Sequence, residues 1–181
     1  MTGDYQLPAR YSTQRLLGKG AAGEVYLVRD SLEEKTAALK ILFNIEDKRA
    51  KTFFNEFETL SSLDHPGLIK VFDFGVLKSG TPYFTMEFLE GEDLQAFLGN
   101  EDNIPSIPYI IEKTISALNY LHGKEILHSD IKPGNIMVVK EDGELSVKLL
   151  DFGLAASVGK ERKGISGTAR FLPPEAIRDR E

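Results

Sequence analysis

From Tyr11 to Leu42 the apolar positions alternate with polar ones or gather in short β-prone runs: Leu16-Leu17, Val25-Tyr26-Leu27-Val28 and Ala37-Ala38-Leu39-Lys40-Ile41-Leu42. Glycines and charged turns separate the runs, which predicts a three-stranded antiparallel meander. The period then changes. Phe53, Phe54, Phe57, Leu60 and Leu63 fall at helical spacing, so an amphipathic helix is predicted over 47–63. Asp64-His65-Pro66-Gly67 ends it, because a proline disfavours the helical conformation of the residue before it. Two more strands are predicted over 68–77 and 82–88, joined through Lys78-Ser79-Gly80-Thr81. Glu90-Gly91-Glu92 reads as a linker, and beyond it the pattern turns helical. A short helix is predicted over 93–99. A longer one is predicted over 106–123, with Ile107, Ile110, Ile111, Ile115, Leu118 and Leu121 along one face and Gly123 as its C-cap. Two short strands near 136–139 and 146–150 flank the turn Glu141-Asp142-Gly143-Glu144. Residues 1–10 read as a leader without structural signal, and the pattern dissolves after Gly153. The fold class is α+β, a small sheet with one helix followed by a helix-rich half.

Composition narrows the classes. The 181 residues are 41% hydrophobic and 28% charged, which fits one globular unit or two small lobes. A net charge of −6 argues against a nucleic-acid or anionic-membrane binder. Without cysteine there is no disulfide framework and no thiolate metal site, which suits a reducing cytoplasm. The start Met1-Thr2-Gly3-Asp4-Tyr5 lacks the basic and apolar regions of a signal peptide, and no apolar run is long enough to span a membrane.

Several short patterns carry chemistry. Gly18-Lys19-Gly20-Ala21-Ala22-Gly23-Glu24-Val25 is a G-x-G-x-x-G-x-V turn. Glycines let backbone N–H groups approach phosphate oxygens. A dinucleotide-binding turn would lead into a helix, whereas a β-prone run follows here, which favours a strand-turn-strand flap. An ordinary glycine-rich hairpin is the plain alternative. Lys40 lies inside an apolar strand and needs a partner, since a buried unpaired charge is costly. Glu56 and Glu58 on the following helix both offer one; a solvent-facing lysine and a solvated helix face are the alternative. Downstream, His128-Ser129-Asp130-Ile131-Lys132-Pro133-Gly134-Asn135 precedes Asp151-Phe152-Gly153. Asn135 and Asp151 supply oxygen ligands that suit Mg²⁺. His128 could be a general base and His65 or His122 a metal ligand, but His128 reads as a core residue touching Phe152, His65 as a turn residue and His122 as structural. No second histidine stands at metal-ligand spacing beside a carboxylate cluster.

Taken together and in this order, these motifs resemble the eukaryotic-type protein kinases, in the form found in bacterial serine/threonine kinases, over nearly the whole chain. The resemblance implies a two-lobed fold, with a leader at 1–10, a β-rich N-lobe at 11–89 and an incomplete helical C-lobe at 90–181. It implies transfer of the γ-phosphoryl group of Mg-ATP to a serine or threonine hydroxyl of a protein, with autophosphorylation as an accompanying reaction. Gly18, Lys19, Gly20, Ala21, Ala22 and Gly23 would cover the phosphates, and Lys40 paired with Glu56 would fix them. Met86, Glu87 and Phe88 would read the adenine edge, Val25, Ala38 and Met137 would sandwich the base, and Asp93 would reach the ribose. Asp130 would act as base or orient the acceptor hydroxyl, Lys132 would stabilise the transferring group, and Asn135 with Asp151 would hold Mg²⁺. Lys132, two residues past Asp130, and Gly167-Thr168 agree with the serine/threonine branch.

Two departures qualify this. Ser129 stands where many members carry an arginine that meets a phosphate on the activation segment, so control through that phosphate is not expected. The chain ends at Glu181, where the family's domain continues for several helices. That implies a fragment or a truncated product, with apolar surface exposed on the 106–123 helix. A nucleotide-binding scaffold without transfer is the rival reading, and a small-molecule kinase on a related fold is a third.

Overall fold

In the computed structural model the described residues are 5–20, 23–43, 57–58, 61–151 and 156–157. They fall into two compact units. The first comprises Met1–Leu63 with Lys70–Phe88, the second Asp64–Ile69 with Leu89–Glu181.

The first unit is built on a five-stranded sheet. Its strands are β1 (Tyr11–Gly20), β2 (Gly23–Asp30), β3 (Lys35–Leu42), β4 (Val71–Val76) and β5 (Pro82–Glu87), in the order β1-β2-β3-β5-β4 with antiparallel neighbours. The predicted meander is its first three strands. Strand alternation gives the sheet two faces. On one, Tyr11, Tyr26, Val28, Leu39, Ile41 and Tyr83 form a buried cluster. On the other, the register aligns Val25 with Lys40 and Ala38 with both Leu27 and Met86. Phe57 and Glu58 are helical, as is Ser61, and the Phe57 ring lies 5.5 Å from that of Phe74 in β4. Most of the helix predicted over 47–63, Glu56 included, lies outside the described residues.

The leader, which carries no structural signal in the sequence, makes contacts within this unit. Tyr5 and Leu7 pack on the buried tyrosine-rich cluster. Arg10 grips Asp30 through two bonds of 2.8 and 2.7 Å and reaches Asp73 at 2.9 Å. Asp30 also accepts the Leu32 N–H, and the Arg10 guanidinium holds its carboxyl below the usual range. Two apolar residues at a spacing of two are too few to register as a periodic pattern, so the leader carried no signal.

The second unit holds β6 (Gly91–Asp93), α1 (Leu94–Phe97), α2 (Ile107–Gly123), β7 (Ile126–Leu127), β8 (Ile136–Glu141), β9 (Glu144–Leu149) and β10 (Ala156–Ser157). β6, β8 and β9 form one sheet, and β7 pairs with β10. The β8–β9 turn has Asp142 and Gly143 at φ of 50° and 85°, the pair of positive values a two-residue hairpin requires.

Three expectations change here. Glu90-Gly91-Glu92 is no plain linker, because Gly91–Asp93 pairs with Met137–Val139. A Cβ on Gly91 would stand 2.4 Å from the Val138 carbonyl, so the close pairing depends on glycine. Gly123 ends α2 as its last helical residue; Lys124 is the cap, and the chain reverses at Glu125 with φ of 61°. On α2 the buried stripe is Ile110, Ala117 and Leu121, while Ile111 and Ile115 are half exposed. The apolar arc of α2 is wider than the stripe the described residues cover.

Asp64–Ile69 joins the second unit through His65. Its Nδ1 accepts the Gly67 N–H at 3.0 Å, its ring lies 5.1 Å from that of Tyr120, and Ser116 Oγ stands 3.3 Å from Nε2. Leu68 then bridges Leu149 in parallel. Among the described residues no helix is long and apolar enough to cross a membrane.

Candidate active site

In the second unit the chemistry-bearing residues follow β7. Ser129 takes a left-handed conformation, φ 66°, its hydroxyl donating to Leu127 O at 3.3 Å. Pro133 then opens a short 3₁₀ turn, Pro133–Asn135, closed by Asn135 N–H to Lys132 O at 2.9 Å. Proline suits that first position because its missing N–H would have had no partner there. The turn folds Asn135 and Lys132 back onto Asp130. Lys132 Nζ donates to Asp130 Oδ2 at 2.7 Å. Asn135 Nδ2 donates to the same oxygen at 3.0 Å and to the Asp130 carbonyl at 2.7 Å. Asn135 is buried, while Asp130 and Lys132 remain partly exposed. The carboxylate is therefore fixed in orientation yet open to solvent on one side.

Asp151 is tied to this group through the backbone. Leu150 N–H donates to Asn135 O at 2.8 Å, and Asp151 itself is left-handed, φ 45°. His128 closes the loop from beneath. It is 2% exposed, and burial lowers its pKa from the ordinary imidazole value. The neutral ring fits its bonds: Nε2 donates to Leu150 O at 3.0 Å, and Nδ1 accepts the Asp130 N–H at 3.4 Å. Its burial and bonds match the reading of His128 as a core residue rather than a general base. Phe152, its expected neighbour, lies outside the described residues. His122 is exposed at the end of α2. Among the described residues no three His, Cys, Asp or Glu side chains gather into a metal cluster.

Asp93 and Met137 are register partners across β6 and β8. The Asp93 carboxylate also caps α1, accepting the Ala96 N–H at 2.9 Å, a favoured N-cap arrangement.

In the first unit Gly20 pairs with Gly23 at the end of the β1–β2 hairpin; Ala21 and Ala22 lie outside the described residues. The three glycines differ. Gly23, φ 157°, runs so close to β3 that a Cβ would fall 1.9 Å from the Ile41 carbonyl oxygen. Around Gly18 and Gly20 a Cβ would meet nothing within 4 Å, so this chain's own packing does not require glycine there. Lys40 is 8% exposed in β3, opposite Val25 and Phe84, with Nζ 6.0 Å from the Phe84 ring centre. Its expected partner Glu56 is outside the described residues. Met86 is buried, and Glu87 is committed to Lys70: its N–H donates to Lys70 O, and its carboxylate accepts the Lys70 N–H at 2.7 Å. That commitment was missed in the sequence, where nothing marks Lys70 as a partner.

The protein kinase domain family matches residues 11–181. The chain is similar to the serine/threonine-protein kinase pkn3 of Myxococcus xanthus, 32% identical over 93% of this chain and 34% of that protein. It is also similar to the serine/threonine-protein kinase PrkC of Bacillus subtilis, 30% identical over 96% of this chain and 28% of that protein. Among solved structures, the kinase domain of Mycobacterium tuberculosis PknI aligns with a TM-score of 0.68 at 30% identity, over 82% of this chain and 61% of that one. The chain thus spans about a third of the length of the curated relatives it matches.

Proposed function

Because the chain belongs to the protein kinase domain family, we propose that it transfers the γ-phosphoryl group of ATP to serine or threonine hydroxyls of a protein. The observation that carries this reading is the Asp130 carboxylate, held at Oδ2 by both Lys132 and Asn135. An acceptor hydroxyl must be aligned and relieved of its proton as it attacks phosphorus. A carboxylate already fixed in direction loses little freedom in doing so. Lys132, at hydrogen-bond distance from that carboxylate, supplies positive charge where negative charge builds on the transferring group.

Mg²⁺ fits the donors present. Asn135 commits its Nδ2 to Asp130, which keeps its amide oxygen as the ligand atom, and Asp151 adds a carboxylate. Two protein oxygens suit an ion that takes its remaining ligands from phosphates and water. When bound, Mg²⁺ neutralises the phosphate charge. In the first unit, Gly18 and Gly20 leave open space beside the backbone for phosphate oxygens, and Lys40 contributes a cation from the same sheet. Val25 and Ala38 supply apolar surface for a base from that sheet. With its N–H and carboxylate committed to Lys70, Glu87 would read adenine through its carbonyl oxygen. The cysteine-free composition suits a cytoplasmic reaction.

Incubation with Mg-ATP and a generic basic protein, followed by mass spectrometry of both proteins, tests the acceptor class and autophosphorylation together. Phosphoserine or phosphothreonine is expected. Phosphorylation of sugars or amines alone would overturn the reading.

A further inference from the structure

The Glu24 side chain is 1% exposed, at a place where a carboxylate is costly to bury. It projects from β2 on the face opposite Val25 and Lys40, beside the cluster that contains Tyr26. Two groups hold it. The Tyr26 phenol donates to Oε2 at 2.6 Å, and Lys19 of β1 forms an ion pair with Oε1. Lys19 and Glu24 are register partners, one step before the Gly20–Gly23 pair that ends the hairpin. Beyond them no described residue of the hairpin carries a side chain. The register of β1 is meanwhile irregular, with shifts between Thr13 and Arg15 and between Leu16 and Gly18.

A glycine-rich hairpin resists ordering, because glycine loses more conformational freedom than any other residue. Cross-strand side-chain pairs normally hold such a ribbon in place, and here the last such pair is Lys19–Glu24. An apolar residue at position 24 would be cheaper to bury, but it would not reach Lys19 across the strands. The carboxylate does so while Tyr26 anchors it to the core.

Resting on the proposed kinase reading, we infer that Glu24 and Tyr26 are positioning residues for the glycine-rich hairpin, acting on nucleotide affinity from the face the nucleotide does not touch. Tyr26→Phe removes only a hydroxyl, and Glu24→Gln removes the charge. Each is expected to raise the KM for ATP about three- to tenfold, less than the full worth of a charge-assisted hydrogen bond because the lost bond acts on the nucleotide only through the hairpin, with kcat nearly unchanged. Amide hydrogen exchange over Gly18–Val25 is expected to quicken in both, while exchange in β3 and β5 stays as in the wild type. Tyr11→Phe removes a phenol from the same cluster, one that reaches Asp73 at 3.4 Å, and should move neither quantity. Unchanged KM and unchanged hairpin exchange in both variants would overturn the inference. So would equal effects from Tyr11→Phe, which would mark a general loosening of the core. A wild-type chain that consumes no ATP would count against the kinase reading alone, and hairpin exchange would still decide the positioning claim.

Discussion

The glycine-rich hairpin of the first unit and the Asp130 loop of the second prepare for chemistry in opposite ways. The hairpin works by leaving side chains out. Gly18 and Gly20 have open surroundings, and among the described residues the last cross-strand side-chain pair, Lys19–Glu24, sits one step before its end. The Asp130 loop works by over-determining side chains. Lys132, Asn135 and His128 all bond to Asp130, and two non-glycine residues, Ser129 and Asp151, adopt left-handed backbone. Such conformations persist only where the surroundings enforce them. The contrast fits the proposed tasks, since a flap must admit and release a nucleotide while a catalytic carboxylate must not wander.

Exchanging the charges breaks the comparison most sharply. Lys132→Met is expected to lower kcat about a hundredfold or more at nearly constant KM for ATP. Lys40→Met should raise that KM as well as lower turnover. Steady-state kinetics separate the two, and identical kinetic changes would erase the distinction between the units. Next in size is the glycine contrast. Gly23→Ala forces a Cβ against the Ile41 carbonyl and should cost about 3 kcal/mol in urea denaturation. Gly20→Ala should stay within about 0.5 kcal/mol yet still weaken ATP binding. Arg10→Ala, which frees the leader from Asp30 and Asp73, should cost about 1–3 kcal/mol with kcat unchanged.

The smallest effect is on pH. Burial depresses the His128 pKa, so between that value and the ordinary one near 6.5 the unfolded state binds more protons. Stability is then complete above about pH 6.5 and declines as pH falls below it. Asp30 and Glu24 are depressed by Arg10 and by Lys19 with Tyr26, so their contributions hold above about pH 4 and fade below it. Urea midpoints taken from about pH 8 down to pH 3 should therefore fall in two stages.

The Asp130 loop was legible in sequence because its partners lie within a few residues of one another, so identity and spacing nearly determine who meets whom. The strands were legible from alternation. The rest depends on distant neighbours. Nothing local says that Arg10 will meet Asp30 and Asp73, that Gly91–Asp93 will pair with β8, or that Lys70 will occupy Glu87. α2 shows the same limit. Its apolar arc was plain, but which stripe is covered depends on what packs against it, and Ile111 and Ile115 turned out exposed. The pairing of Lys40 with Glu56 falls outside the described residues and stays a proposal.

The most direct measurement is phosphate transfer from Mg-ATP by this chain, to itself and to a basic protein, beside an Asp130→Asn variant shown by circular dichroism to be folded. The account predicts transfer to serine or threonine that falls about a thousandfold in the variant. Equal transfer by both proteins would contradict the role given to Asp130, and no transfer by the folded wild-type chain would contradict the proposed activity.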